Sequence, residues 1–150
     1  MSTWKFLEDK GLVRRHIATA EEIGNLLAVV ERNLQDANVA ALSDDGRFLM
    51  AYGAALQLAT VAIAAAGYKA SGSDHHKTTF DAIPLAMGSK ATMLADYFDR
   101  CRRMRNNIQY DQINVATASE AESLLKRTTE FGASVLKWLA STRPELLPKG

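Results

Sequence analysis

The sequence predicts an all-α protein, an up-and-down antiparallel bundle of four main helices with one or two short helices, and three observations predict it. Apolar residues recur at intervals of three and four along most of the chain. Capping and turn residues stand at the breaks between those stretches. No stretch alternates apolar and polar residues with β-branched enrichment, so strand signals are absent. Short connections between long helices favour antiparallel neighbours. The 150 residues, 47% hydrophobic and 23% charged, suit a single domain over 1–150, with a core at about 19–141 between a short N-terminal segment and a C-terminal tail.

Taken in order, residues 1–11 carry Trp4, Phe6 and Leu7 among Lys5, Glu8, Asp9 and Lys10 and lack the unbroken apolar run of a secretory leader. Residues 4–13 read as a short lid helix. Thr19 with Glu22 has capping-box spacing, and Ile23, Leu26, Leu27, Val30, Leu34, Ala37 and Ala41 follow it, predicting a helix over 20–42. Ser43-Asp44-Asp45-Gly46 supplies a turn and N-cap, after which 48–66 is apolar nearly all round until Gly67 offers a left-handed stop. Such a helix belongs in the middle of a bundle, and its alanines let neighbouring backbones come close. Gln57 and Thr60 interrupt it and no basic flank adjoins it, so it reads as core and not as a membrane span.

A loop at 70–73 leads into Asp74-His75-His76-Lys77 and a shorter helix holding Phe80, Ile83 and Met87, kinked by Pro84. Ser89 offers a cap to a helix whose stripe runs Leu94, Tyr97, Phe98, Cys101, Met104, Ile108. Thr117 and Glu120 repeat the capping-box spacing before Ala121, Leu124, Leu125, Thr128, Phe131, Val135, Trp138 and Leu139, and Pro144 ends the last helix.

Composition excludes several kinds of function. With 18 Lys+Arg against 17 Asp+Glu, there is no bulk basic field to hold nucleic acid, so any such site is a local patch. Cys101 alone excludes an internal disulfide framework and a cysteine-based zinc site, and fits a reducing, cytoplasmic setting. His75 and His76 are adjacent and point apart on a helix, so they read as a loop or helix start with no metal expected. No phosphate-cradling glycine loop, hydrolase elbow or zincin pattern occurs, and no cofactor is expected. Asp44 and Asp45 read as caps, and Cys101 as a small buried hydrophobe.

The suggestive segment is Arg100-Cys101-Arg102-Arg103-Met104-Arg105-Asn106-Asn107, four guanidinium groups within two helical turns. Arg102 and Arg105, three apart, share a face, and Arg105 is four on from Cys101, at the margin of the apolar stripe. A guanidinium held there needs an anionic or carbonyl partner and is shaped to grip phosphate or carboxylate with two bonds. The plainer reading is that arginines at this helix end answer the macrodipole and that Asp96 and Asp99 pair with Arg100, Arg102 and Arg103 at helical spacing. Asn106-Asn107 is poor helix material, so the helix is expected to loosen before Tyr110-Asp111.

Arg105-Asn106 followed by Tyr110-Asp111 resembles the signature of the HEPN (higher eukaryotes and prokaryotes nucleotide-binding) family, an arginine, a polar residue and then a histidine four to six residues on. The stretch 51–68 and the polar loop with His76 before a short helix are similar to the second helix and following loop of many members. The resemblance covers about residues 20–140. It implies a four- or five-helix up-and-down bundle, a homodimer, and either a metal-independent endoribonuclease or a partner of a nucleotidyltransferase or antitoxin in toxin–antitoxin and defence systems. It implies Arg105 as the signature arginine and Asn106 as its polar neighbour, both binding phosphate of an RNA or nucleotide ligand, with Arg102 and Asp111 adding binding groups. Tyr110 stands where the family has histidine, and a phenol, with a pKa of about 10 in model peptides, is a poor base near neutrality, though it can donate a hydrogen bond or stack on a base. Arg105 and Tyr110 lie about 140° apart on an ideal helix, so they converge only if the helix end distorts or a second subunit completes the site. Three readings stay open: an RNA-binding or RNA-cleaving protein using Arg105 and Tyr110, a non-catalytic interaction module, and a structural dimer whose arginines are solvated helix ends.

Overall fold

The computed structural model describes residues 3–110 and 112–148. Helix α1 (Trp4–Asp9) starts at Thr3, whose hydroxyl accepts the Phe6 N–H at 3.1 Å, and a short strand, β1 (Val13–Arg15), follows. Helix α2 (Ala20–Ala37) is capped by Thr19, which accepts the Glu22 N–H at 3.2 Å. The Glu22 carboxylate turns instead to His16 Nε2 at 2.8 Å, leaving the capping box half made. The helix stops short of residue 42 because the Asn38 side-chain amide donates to the Leu34 carbonyl at 2.8 Å, while Ala40 and Ala41 are exposed and have no core to join.

Helix α3 (Asp44–Ala65) begins at Ser43, whose hydroxyl accepts the Gly46 N–H at 2.9 Å. Asp45 caps more than its own helix. Its carboxylate accepts the Ala116 N–H at 2.8 Å and that of Val115 at 3.4 Å, fastening the loop ahead of the last helix. Gly67, at φ +100°, reverses the chain into β2 (Tyr68–Ala70), which pairs antiparallel with β1 so that Val13 faces Ala70 and Arg15 faces Tyr68. This ribbon corrects the expectation that the chain holds no strand. Three residues are too few to display an alternating pattern, and the ribbon is held by packing: Trp4 stacks on Tyr68 with ring centres 4.2 Å apart, over a small cluster of Leu7, Val13, Ile63 and Ala82.

The single helix expected after the polar loop is two, α4 (His75–Asp81) and α5 (Ile83–Met87), divided at Ala82 with Pro84 in the first turn of the second. Helix α6 (Thr92–Gln109) follows a 3₁₀ turn, and Ser89 does not cap it: the Ser89 carbonyl accepts the Thr92 hydroxyl at 2.7 Å instead. Nor does α6 loosen at Asn106; it runs to Gln109, and Tyr110 is its C-cap. Helix α7 (Ala118–Thr142) carries the complete capping box, with Thr117 and Glu120 exchanging bonds of 3.0 and 3.1 Å.

The four long helices alternate in direction. Arg47 at the start of α3 donates to the Ala37 carbonyl at the end of α2 at 2.9 Å, and Met104 of α6 shares a groove with Glu120 of α7 while Leu94 shares one with Ser134. The two parallel members, α3 and α7, pack closely: Arg47 meets Glu122 at 2.6 Å, Leu58 lies against Gly132, and Arg143 donates to the Ala65 carbonyl at 2.7 Å. Alanines 54, 55, 59 and 62 of α3 are fully buried, and their small side chains let neighbouring backbones come close. By length and composition α3 could cross a bilayer, yet most of it is buried inside the fold. Helix α6 is joined to the centre by rings, Phe98 lying 5.5 Å from Phe80 and 5.3 Å from Phe131.

Candidate functional site

Phe80 of α4 and Phe98 of α6, both fully buried, bring these two helices together above Tyr52 of α3. Their ends diverge into a cleft of about 370 Å³. Ser73, Asp74, His75, His76 and Lys77 form one wall, and Arg102, Arg105, Asn106 and Tyr110 form the other. The long α6 stripe that buries Ala95, Phe98 and Cys101 sets the rotation of this second wall, half-burying Arg102 and Arg105 and leaving Arg100 and Arg103 exposed.

The two guanidinium groups are held differently. Arg102 spends its Nε on Asp99 at 2.8 Å, an i,i+3 pair in which each side chain is 18% exposed; both terminal amino groups keep their donors unused among the described residues. Arg105 has no carboxylate within ion-pair distance among the described residues. Its Nη1 donates to Asn106 Oδ1 at 3.3 Å, and its guanidinium carbon lies 5.7 Å from the centre of the Tyr52 ring, a cation–π contact. Asn106 therefore orients Arg105, and the remaining donors are available to a ligand. On the facing wall Lys77 is engaged by Asp81 at 2.7 Å, a bond that raises its pKa.

His76 is the group that sequence reasoning missed. Its Nδ1 lies 3.1 Å from the Tyr52 hydroxyl, which anchors the ring from below. Burial lowers its pKa from 6.5 to about 4, with further lowering from the positive charges of His75, Arg105 and Arg102, so the imidazole is neutral at pH 7. Burial likewise pushes the Tyr52 phenol well above its ordinary range, Arg105 and Arg102 only partly offsetting it. Tyr52 is thus a fixed hydrogen-bonding hydroxyl and not an acid.

Of the residues singled out from sequence, Arg102, Arg105, Asn106 and Tyr110 all line this cleft. Tyr110 stands at its lip, 75% exposed, where the backbone leaves helical geometry after Gln109. Asp111 lies outside the described residues. Arg100 instead faces Tyr97, with Arg127 stacked on the same ring at 4.4 Å, on another side of the molecule. Cys101 is buried, its thiol pushed up to about 11 by that burial. Among the described residues, no three His, Cys, Asp or Glu side chains are grouped to hold a metal ion. The sequence did carry a signal for His76, a histidine in a polar run just before an amphipathic helix, but nothing local says that this helix packs on α6. No protein-family model matches the chain, and comparison with curated proteins and with solved structures finds no match.

Proposed function

We propose that the chain is a HEPN-like RNA-binding protein whose cleft between α4 and α6 holds the phosphodiester backbone. The observation that carries this reading is the pair Arg102 and Arg105: two half-buried cations on one wall with donors left over, one of them without a carboxylate partner among the described residues. Guanidinium groups in that state favour a bidentate oxyanion, and phosphate supplies one. The exposed Tyr110 ring at the lip gives an unpaired base a surface to stack on, which suits single-stranded RNA. The order of the elements and of the Arg105-Asn106 and Tyr110 motif fits the family resemblance.

A near-neutral chain makes this a local electrostatic site, so binding should be weaker and less salt-dependent than that of a strongly basic protein. Fluorescence anisotropy with a labelled, mixed-sequence single-stranded RNA tests it. Arg105→Ala and Arg102→Ala are each expected to weaken binding about 10- to 100-fold, the worth of a charge-assisted hydrogen bond, and to reduce the salt slope by about 0.7. Affinity unchanged in the Arg102→Ala, Arg105→Ala double variant would contradict the reading. A stable stoichiometric protein partner together with no RNA affinity would favour an interaction module instead.

A further inference from the structure

We propose that His76 supplies, from α4, the proton-transfer group that the α6 signature lacks, making the cleft a metal-independent RNA-cleaving site. The proposal rests on the phosphodiester-binding reading of Arg102 and Arg105 and adds the residue that would act on the bound RNA.

The geometry begins with the two ring nitrogens. Nδ1 is committed to the Tyr52 hydroxyl at 3.1 Å. Nε2 has no hydrogen-bond partner among the described residues, and it is not a sealed-off polar atom, because the one buried side-chain polar atom left without a partner there is Thr128 Oγ1. Nε2 is therefore the nitrogen that meets solvent in the cleft, whose opposite wall is Arg102 and Arg105. The Tyr52 hydroxyl can accept from Nδ1–H, and the same contact then serves the neutral imidazole and the imidazolium. That makes Tyr52 a positioning residue that fixes the ring, and the proposed step uses the tautomer with the proton on Nδ1 and the lone pair on Nε2.

The chemistry follows from this placement. With a phosphodiester gripped by the two arginines, Nε2 takes the proton of the adjacent 2′-hydroxyl. The 2′-oxygen forms a bond to phosphorus, and the bond from phosphorus to the 5′-oxygen breaks. The imidazolium returns its proton, directly or through water, to that leaving oxygen. The products are a 2′,3′-cyclic phosphate and a 5′-hydroxyl, with no net change in protons or electrons. Arg102 and Arg105 stabilise the charge that builds on the phosphoryl oxygens.

The charged and titratable groups around His76 are Tyr52 from α3, Asp74, His75 and Lys77 on its own wall, and Arg102, Arg105 and Tyr110 from α6. The cations oppose protonation of His76. A bound phosphodiester anion offsets Arg102 and Arg105, so the imidazole becomes a stronger base when substrate is present. Substrate binding and base strength are thus coupled through the same two side chains.

Cleavage of mixed-sequence single-stranded RNA in EDTA, followed at saturating RNA so that affinity drops out, tests the proposal. Wild-type protein is expected to leave 2′,3′-cyclic ends, to bind but not cut 2′-O-methyl RNA, and to lose rate as pH falls, with a midpoint between about 4 and 6.5. His76→Gln is expected to cut at least about 100-fold more slowly. Wild-type cleavage matched by His76→Gln, or a rate that does not fall between neutral pH and about 4, overturns the role of His76 while leaving the RNA site standing. The pH profile decides the matter on the wild type alone if the variant does not fold. RNA binding without cleavage also removes the catalytic proposal, and absence of binding removes both it and the reading beneath it.

Discussion

Arg105 and His76 illustrate what a single residue reveals before and after folding. Arg105 was readable because it sits four positions after Cys101, and a position at the margin of an apolar stripe must be half-buried whatever the partner helix. His76 was not, since its neighbours Tyr52 and Arg105 lie 24 residues before it and on the far side of a loop and two helix breaks. Its environment has a consequence for acid behaviour. The folded pKa, about 4, lies below the ordinary 6.5, so the unfolded chain binds a proton here more readily. The stability this group contributes is complete above pH 6.5 and is lost as pH falls toward 4. In proton NMR of the free protein, the His76 ring should titrate near 4, and addition of a 2′-O-methyl RNA should move that midpoint upward. A midpoint near 6.5, unmoved by RNA, would show that neither burial nor the arginines act on it.

At the scale of the element, caps were legible in proportion to how local they are. Thr117 and Glu120 make both bonds expected of their spacing, because the box needs only four consecutive residues. Ser89, by contrast, looked like a cap and is not one, since a 3₁₀ turn places its carbonyl instead of its hydroxyl against Thr92. Thermal or denaturant unfolding separates the two: Thr117→Ala should cost about 1 kcal/mol, and Ser89→Ala less than about 0.5 kcal/mol. Equal losses in both would mean that the cap assignment is wrong. The β1–β2 ribbon escaped sequence reading for a related reason. Each strand has three residues, and what joins them is a stacked Trp4–Tyr68 pair and the turn at Gly67, neither of which leaves a periodic trace.

For the whole molecule, the alternation of four long helices followed from apolar period and short connections, whereas the close approach of α3 and α7, parallel members of the bundle, did not. It depends on Leu58 of α3 packing against Gly132 of α7, across two elements about 75 residues apart, as the Arg47–Glu122 pair marks. That central pair leaves α6 joined to the core through Phe98 and free to present different arginines on two sides: Arg102 and Arg105 into the cleft with His76, and Arg100 beside Tyr97 and Arg127. With a net charge of +1, the proposed choice of the cleft over the other patch as the RNA site rests on geometry and not on the field of the molecule. The most direct measurement is a backbone-amide NMR map during titration with a short 2′-O-methyl RNA. Shifts concentrated in the His75–Asp81 helix and from Arg102 to Tyr110 are expected; shifts centred on Tyr97 and Arg127, with the cleft unmoved, would contradict the assignment of the site.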